Sequence, residues 1–167
     1  MSTSTLDRTA ETSVPFLDVL AQRWSPRAFD AETAIDEDKL ASALEAARWS
    51  PSASNTQPWR FLVARRGTEL HAQIHNALMG FNREWAGAAQ VLIVALSEDA
   101  DADGNPHPWA QYDLGQAVAH LSVQAHSDSK WGFLGQVFHL SKPLPSQQFL
   151  NCACHYEMFW SAYSTYI

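Results

Sequence analysis

The chain has 167 residues, 46% of them hydrophobic and 17% charged, which fits one soluble globular domain large enough to bury a real core. A formal charge of −7 with scattered lysines and arginines excludes a nucleic-acid partner, since a phosphate-binding surface needs a basic stripe. The longest unbroken aliphatic run, residues 91–96, is too short to span a bilayer, so no membrane partner is expected.

Residues 1–14 are polar and read as a disordered lead-in with no apolar core of a secretory signal. Cys152 and Cys154 lie too close together to staple a secreted scaffold, so a cytoplasmic protein is expected. From Pro15 a short helix is predicted, with Phe16, Leu17 and Leu20 on one face. Asp36 is placed to cap a second helix, with Glu37 and Asp38 in its first turn and Leu40, Ala43, Leu44 and Ala47 at helical spacing. That helix should end near Trp49, because Pro51 disfavours helix at Ser50. A strand follows over residues 61–64. Thr68 can cap a third helix with Leu70, Ile74, Ala77 and Leu78 on its apolar face and Gly80 as its stop. Residues 90–96 read as a buried strand. After an acidic loop, a long helix over 109–125 carries one stripe of Ala110, Leu114, Ala117, Leu121 and Ala125.

Two motifs stand out against this background. Ser50-Pro-Ser-Ala-Ser-Asn-Thr-Gln-Pro-Trp-Arg-Phe61 sets hydroxyls, amides and prolines between a predicted helix and a predicted strand. It reads as a loop by composition, but an ordinary connector is shorter and poorer in side-chain donors and acceptors. One helix upstream lies Arg23-Trp-Ser-Pro-Arg-Ala-Phe29. Alone, its two arginines could be no more than solvated surface groups. Together and in this order, the motifs resemble the FMN-dependent nitroreductase family over residues 15–126.

The resemblance implies an α+β fold, a nitroreductase-like mixed sheet flanked by helices, incomplete at the C-terminus in this chain, with a flavin-binding unit at residues 15–127. It implies a homodimer with FMN at the interface, NAD(P)H as electron donor, and a nitroaromatic, quinone or similar small molecule as acceptor. The flavin carries that chemistry, so no catalytic acid or base is expected. By position, Arg23, Trp24, Ser25 and Arg27 match residues that hold the FMN phosphate, ribityl chain and ring edge. Arginine suits the phosphate because its planar fork makes charge-assisted, often bidentate hydrogen bonds, and the chain has only seven glycines and no phosphate-cradling glycine motif. Pro51, Ser52 and Asn55 match positions against the isoalloxazine ring, contributed by the opposite subunit, and Gln57 lies in the same stretch. Asn82, in Phe81-Asn-Arg-Glu-Trp-Ala86, matches an asparagine that reaches the flavin; helix-end capping is the alternative. Trp59 reads as core. The competing function is a flavin-free, non-catalytic dimerisation or binding domain.

Other signals carry less. Asp99-Ala-Asp-Ala-Asp-Gly104 imitates the start of a calcium loop but lacks the bidentate Glu at position twelve. His71 and His75 have zincin spacing without the accompanying Glu, and Cys152-Ala-Cys-His155 is one ligand cluster without a second, so no metal is expected. Residues 128–167 hold nine of the 19 aromatics and two of the 18 acidic residues, show no period, and form a divergent C-terminal segment outside the resemblance.

Overall fold

The computed structural model describes residues 8–26, 28–78, 80–128 and 135–137. Among the described residues five α-helices run in chain order: α1 (Asp18–Gln22), α2 (Glu37–Arg48), α3 (Glu69–Ala77), α4 (Phe81–Ala86) and α5 (Ala110–Asp128). Three strands, β1 (Trp59–Arg65), β2 (Val91–Ser97) and β3 (Gly135–Val137), form a mixed sheet in the order β1-β2-β3. β1 and β2 are antiparallel, with Trp59 opposite Ser97 and Arg65 opposite Val91. β3 runs parallel to β2, with Ile93 opposite Gly135. The β2–β3 connection contains α5, as a parallel pair requires a crossover long enough to hold a helix.

β2 is buried on both faces, and its alternation divides the core in two. Val91, Ile93 and Ala95 pack with Trp59 under α2 and α5, where Leu40, Ala43, Ala47, Leu114, Ala117, Leu121 and Ala125 complete the layer. The whole predicted α5 stripe is buried, and each of its two leucines contributes about 1.5–3 kcal/mol by leaving water. Leu92 and Val94 face the other way and pack with Ala64, Ile74, Leu78, Ala86 and Ala89 under α3 and α4. Helices therefore cover both faces of the sheet, as the α+β expectation required.

The caps follow the local chemistry. The Asp36 carboxylate accepts the Lys39 N–H at 3.2 Å, and Thr68 Oγ1 accepts the His71 N–H at 3.3 Å. Such caps are worth about 1 kcal/mol each. Helix α2 ends at Trp49, where Pro51 placed its limit.

Other expectations are corrected. Gly80 does not stop α3, which ends at Leu78 in extended backbone; with φ 54° and ψ −141°, Gly80 is the N-cap of α4, an element not foreseen. At the other end of α4, His75 Nε2 donates to Arg83 O at 2.8 Å, and a Cβ on Gly87 would lie 2.8 Å from that nitrogen. His71, one of the two histidines at zincin spacing, is a core residue: it is buried and its Nε2 donates to Ala89 O at 3.2 Å. Burial pushes its pKa below the usual imidazole value. Helix α1 starts three residues after Pro15, and Phe16, Leu17 and Leu20 stay exposed. Apart from Asp128 and β3, the expectation for residues 128–167 lies outside the described residues.

Candidate functional site

The loop between α2 and β1 departs furthest from ordinary backbone. Ser54, Asn55 and Gln57 have φ of 52°, 55° and 49°. The left-handed region is disfavoured for side chains other than glycine by about 1–2 kcal/mol per residue, with Asn the best tolerated. Three such residues within four positions persist only where surrounding contacts over-determine them, and strain of this kind clusters at ligand sites. The contacts are there. Ser52 Oγ accepts the Gln57 N–H at 3.0 Å, closing the turn around the one-turn 3-10 helix Ala53–Asn55. Thr56 N–H bonds back to Ala53 O at 3.1 Å, and Trp59 N–H to Gln57 O at 2.9 Å.

Two longer-range bonds fasten this turn to α5. Asp113, buried in the first turn of the helix, accepts the Ala53 N–H on Oδ2 at 3.0 Å. One heptad on, His120 Nδ1 and the buried Ser50 Oγ share a hydrogen bond of 2.8 Å. Positions seven apart lie on one helix face, so a single side of α5 holds both the start of the loop and its strained turn. Sequence reading missed Asp113 and His120. Asp113 reads locally as an ordinary acid of a first helical turn, and neither partner is near in sequence.

With its backbone pinned, the loop turns polar side chains outward. Pro51 and Asn55 are exposed, while Ser52 and Gln57 are half-buried. Among the described residues neither the Asn55 amide nor the Gln57 amide makes a side-chain hydrogen bond. Pro58 and Trp59 behind them are buried, so the loop has a rigid apolar floor.

The first motif leaves α1 as extended chain. Arg23 is the C-cap of α1, half-buried, and its guanidinium has no carboxylate partner among the described residues. Trp24 is 38% exposed, with the Arg8 guanidinium 4.3 Å from its ring centroid. Ser25 is exposed, Pro26 is buried, and Arg27 lies outside the described residues. Phe29 then stacks on Trp85 of α4 with ring centroids 5.9 Å apart. Arg66 holds the following segment by donating to Thr33 O and Ala88 O, each at 2.7 Å. The motif thus runs from α1, beside α5, round to the α4 side of the sheet.

Asn82 is buried in the first turn of α4, one helical turn from Trp85. Its helix is capped by Gly80 without a side-chain bond, so capping does not explain it. Among the described residues, no hydrogen bond, ion pair or ring contact joins Arg23, Trp24 or Ser25 to Pro51, Ser52, Asn55 or Gln57. The first motif and Asn82 are linked through Phe29 and Trp85, whereas the second motif is fastened to α5.

In the acidic loop Asp101 accepts from Asn105 Nδ2 at 2.9 Å and from the Asn105 and Asp103 amides, bonds that hold its carboxyl below the usual range. Among the described residues, no helix is long and apolar enough to cross a membrane.

Comparison with known proteins matches residues 20–129 to the Nitroreductase family. An oxygen-insensitive NAD(P)H nitroreductase of Salmonella typhimurium is 43% identical over 130 residues, covering 74% of this chain and 58% of that protein. An oxygen-insensitive NADPH nitroreductase of Helicobacter acinonychis is 35% identical over 79 residues, covering 47% of this chain and 37% of its own length. Among solved structures, an oxidoreductase containing FMN superposes with a TM-score of 0.67 at 36% identity, covering 74% of this chain and 64% of that one. In each case the chain spans less than two thirds of its relative. The matched region takes in the end of α1, all of α2 to α5, β1 and β2, and both motifs, and the mixed sheet with helices on either face is the fold of the matching structure. The chain belongs to the nitroreductase family.

Proposed function

We propose that residues 15–127 bind FMN and that the protein is an NAD(P)H-dependent oxidoreductase, a cytoplasmic homodimer acting on a nitroaromatic, quinone or similar small acceptor. The observation that carries this reading is the strained, pinned turn at Ser54, Asn55 and Gln57. Its backbone is held in place by bonds within the turn and to Asp113, so less of it has to be ordered on binding. The names of the relatives, which include NAD(P)H nitroreductases and an FMN-containing oxidoreductase, agree with it.

Each group has a distinct part in the proposal. Arg23, with Arg27 assigned by resemblance alone, would pair with the phosphate, and Trp24 and Ser25 would line the ribityl chain and ring edge. Pro51 and Ser52 would lie against the ring, and the Asn55 and Gln57 amides would satisfy its polar edge. Asn82, held on α4 beside Trp85, would approach from the other side. When bound, FMN would take two electrons from NAD(P)H and return them to the acceptor. The protein binds, orients and shields. The separation of the two motifs within one chain supports a site shared between two subunits, in which the second motif of one copy faces the first motif of the other.

Turnover tests the reading. Purified full chain supplied with FMN should oxidise NADH or NADPH in the presence of a quinone or nitroaromatic, with rates that saturate in both substrates. A folded, dimeric protein that neither retains FMN nor accelerates this oxidation would point to the non-catalytic binding domain instead.

A further inference from the structure

Asp113 is the one buried carboxylate among the described residues, 3% exposed, and nothing in the proposed chemistry uses it directly. A carboxylate out of water is costly unless hydrogen bonds and fields compensate. Here the compensation is specific. Oδ2 takes the backbone N–H of Ala53, and Oδ1 lies 3.5 Å from Gln116 Nε2. The position in the first turn of α5 adds the favourable field of a helix N-terminus. A hydrophobic residue there would fill the same space without the desolvation penalty. What a hydrophobic residue could not do is hold the Ala53 N–H.

That N–H opens the 3-10 turn in which Ser54 and Asn55 are left-handed. The bonds from Gln57 N–H to Ser52 Oγ and from Thr56 N–H to Ala53 O are internal to the turn and would move with it, while that from Trp59 N–H to Gln57 O joins only its far end to β1. Asp113 therefore ties the head of the strained turn, where Ser54 and Asn55 lie, to α5, while the Ser50–His120 bond ties only the approach to it.

We propose that Asp113 is a positioning residue for the FMN site. It acts through Ala53 to fix where the Ser52, Asn55 and Gln57 groups stand relative to the sheet. The proposal rests on the FMN reading above. It touches no reacting atom, and its effect is on cofactor affinity.

Three variants of the full chain test it, each titrated with FMN and followed by hydrogen exchange at the Ala53 amide. Asp113→Ala removes the acceptor, and FMN affinity should fall about tenfold or more, as expected for losing a charge-assisted bond. Asp113→Glu keeps the charge but displaces the acceptor by one methylene, and should also weaken binding; it serves if the alanine variant does not fold. Asp113→Asn keeps an acceptor oxygen at the same reach, and should bind FMN within about threefold of wild type. The Ala53 amide should be protected in wild type and Asp113→Asn and exchange fast in the other two. Wild-type FMN affinity in folded Asp113→Ala or Asp113→Glu, whatever their thermal stability, would reduce Asp113 to a structural residue and overturn the proposal. Equal weakening in Asp113→Asn would overturn the acceptor geometry. If wild type itself binds no FMN, the flavin reading fails; Ala53 protection lost on Asp113→Ala would still support Asp113's hold on the turn, and an unprotected wild-type amide would refute it.

Discussion

Ser50 Oγ and His120 Nδ1 meet at 2.8 Å across 70 residues of sequence, joining the end of α2 to the middle of α5. Ser50 is buried and His120 sits at the rim, so the bond is partly shielded from water and should contribute to stability. Ser50→Ala and His120→Ala should each lower unfolding free energy by about 0.5–1.5 kcal/mol. Because both remove the same bond, the double variant should fall short of the sum by about 0.5 kcal/mol or more. Urea unfolding of the four proteins measures this, and strict additivity would mean the bond is not formed in solution.

Asn55 separates backbone from side-chain effects. Its φ of 55° makes leucine a poor probe, since a left-handed leucine costs about 1–2 kcal/mol before any ligand is considered. Glycine accepts that backbone freely and deletes the amide. Asn55→Gly should unfold within a few degrees of wild type yet bind FMN about 1–3 kcal/mol more weakly. Asn55→Leu should lose both affinity and stability. Unchanged FMN affinity in Asn55→Gly, read by fluorescence titration, would remove Asn55 from the site.

Arg23→Ala should weaken FMN binding by about 1.5–3 kcal/mol, the range for hydrogen bonds to charged groups, with a steeper loss at low salt. Riboflavin, which lacks the phosphate, should bind wild type and variant alike. Equal losses for both ligands would place Arg23 away from the phosphate. Circular dichroism should be unchanged, because Arg23 makes no ion pair among the described residues and adds little to the core.

What could be read from the sequence was what local chemistry decides. Asp36 and Thr68 announce helix starts by their side chains, the aliphatic run over residues 91–96 announces the buried strand found at Val91–Ser97, and the α5 stripe follows from period alone. Helix α4 was hidden because Gly80 looks the same whether it closes one helix or opens the next; only its φ of 54° decides. β3 was hidden because three residues are too few to show a period. The two motifs of the candidate site were visible as motifs. Their physical basis was not, since Ser54 and Gln57 carry no signature of left-handed backbone and the tethers from Asp113 and His120 join residues 60 and 70 apart. The burial of His71 was missed for the same reason: the carbonyl that holds it belongs to Ala89.

His71 gives a pH window of its own. Its folded pKa lies below the ordinary 6.5 because burial disfavours the charged ring, against the bond to Ala89 O that favours it and with smaller repulsion from His75 and Arg66. The unfolded state therefore binds the proton more readily, and stability contributed by neutral His71 is full above about pH 6.5 and is lost as pH falls through the folded pKa. The acids Glu37, Glu45 and Asp101, whose pKa values are lowered by hydrogen bonds from Arg65, Arg48 and Asn105, lose their contributions only at lower pH. Thermal melts should show a drop beginning near pH 6.5, and His71→Gln should flatten it. A profile unchanged by the substitution would show that His71 is not buried neutral.

In the proposed function FMN is held at the turn between α2 and β1. The most direct test is an FMN titration of the purified full chain, followed by quenching of flavin fluorescence and by the visible absorbance of the bound cofactor. Saturable, stoichiometric binding with a shifted flavin spectrum, weakened by Arg23→Ala and by Asn55→Gly while both variants stay folded, is the expected result. Flavin that stays free in solution over folded protein, or binding indifferent to both substitutions, would contradict it.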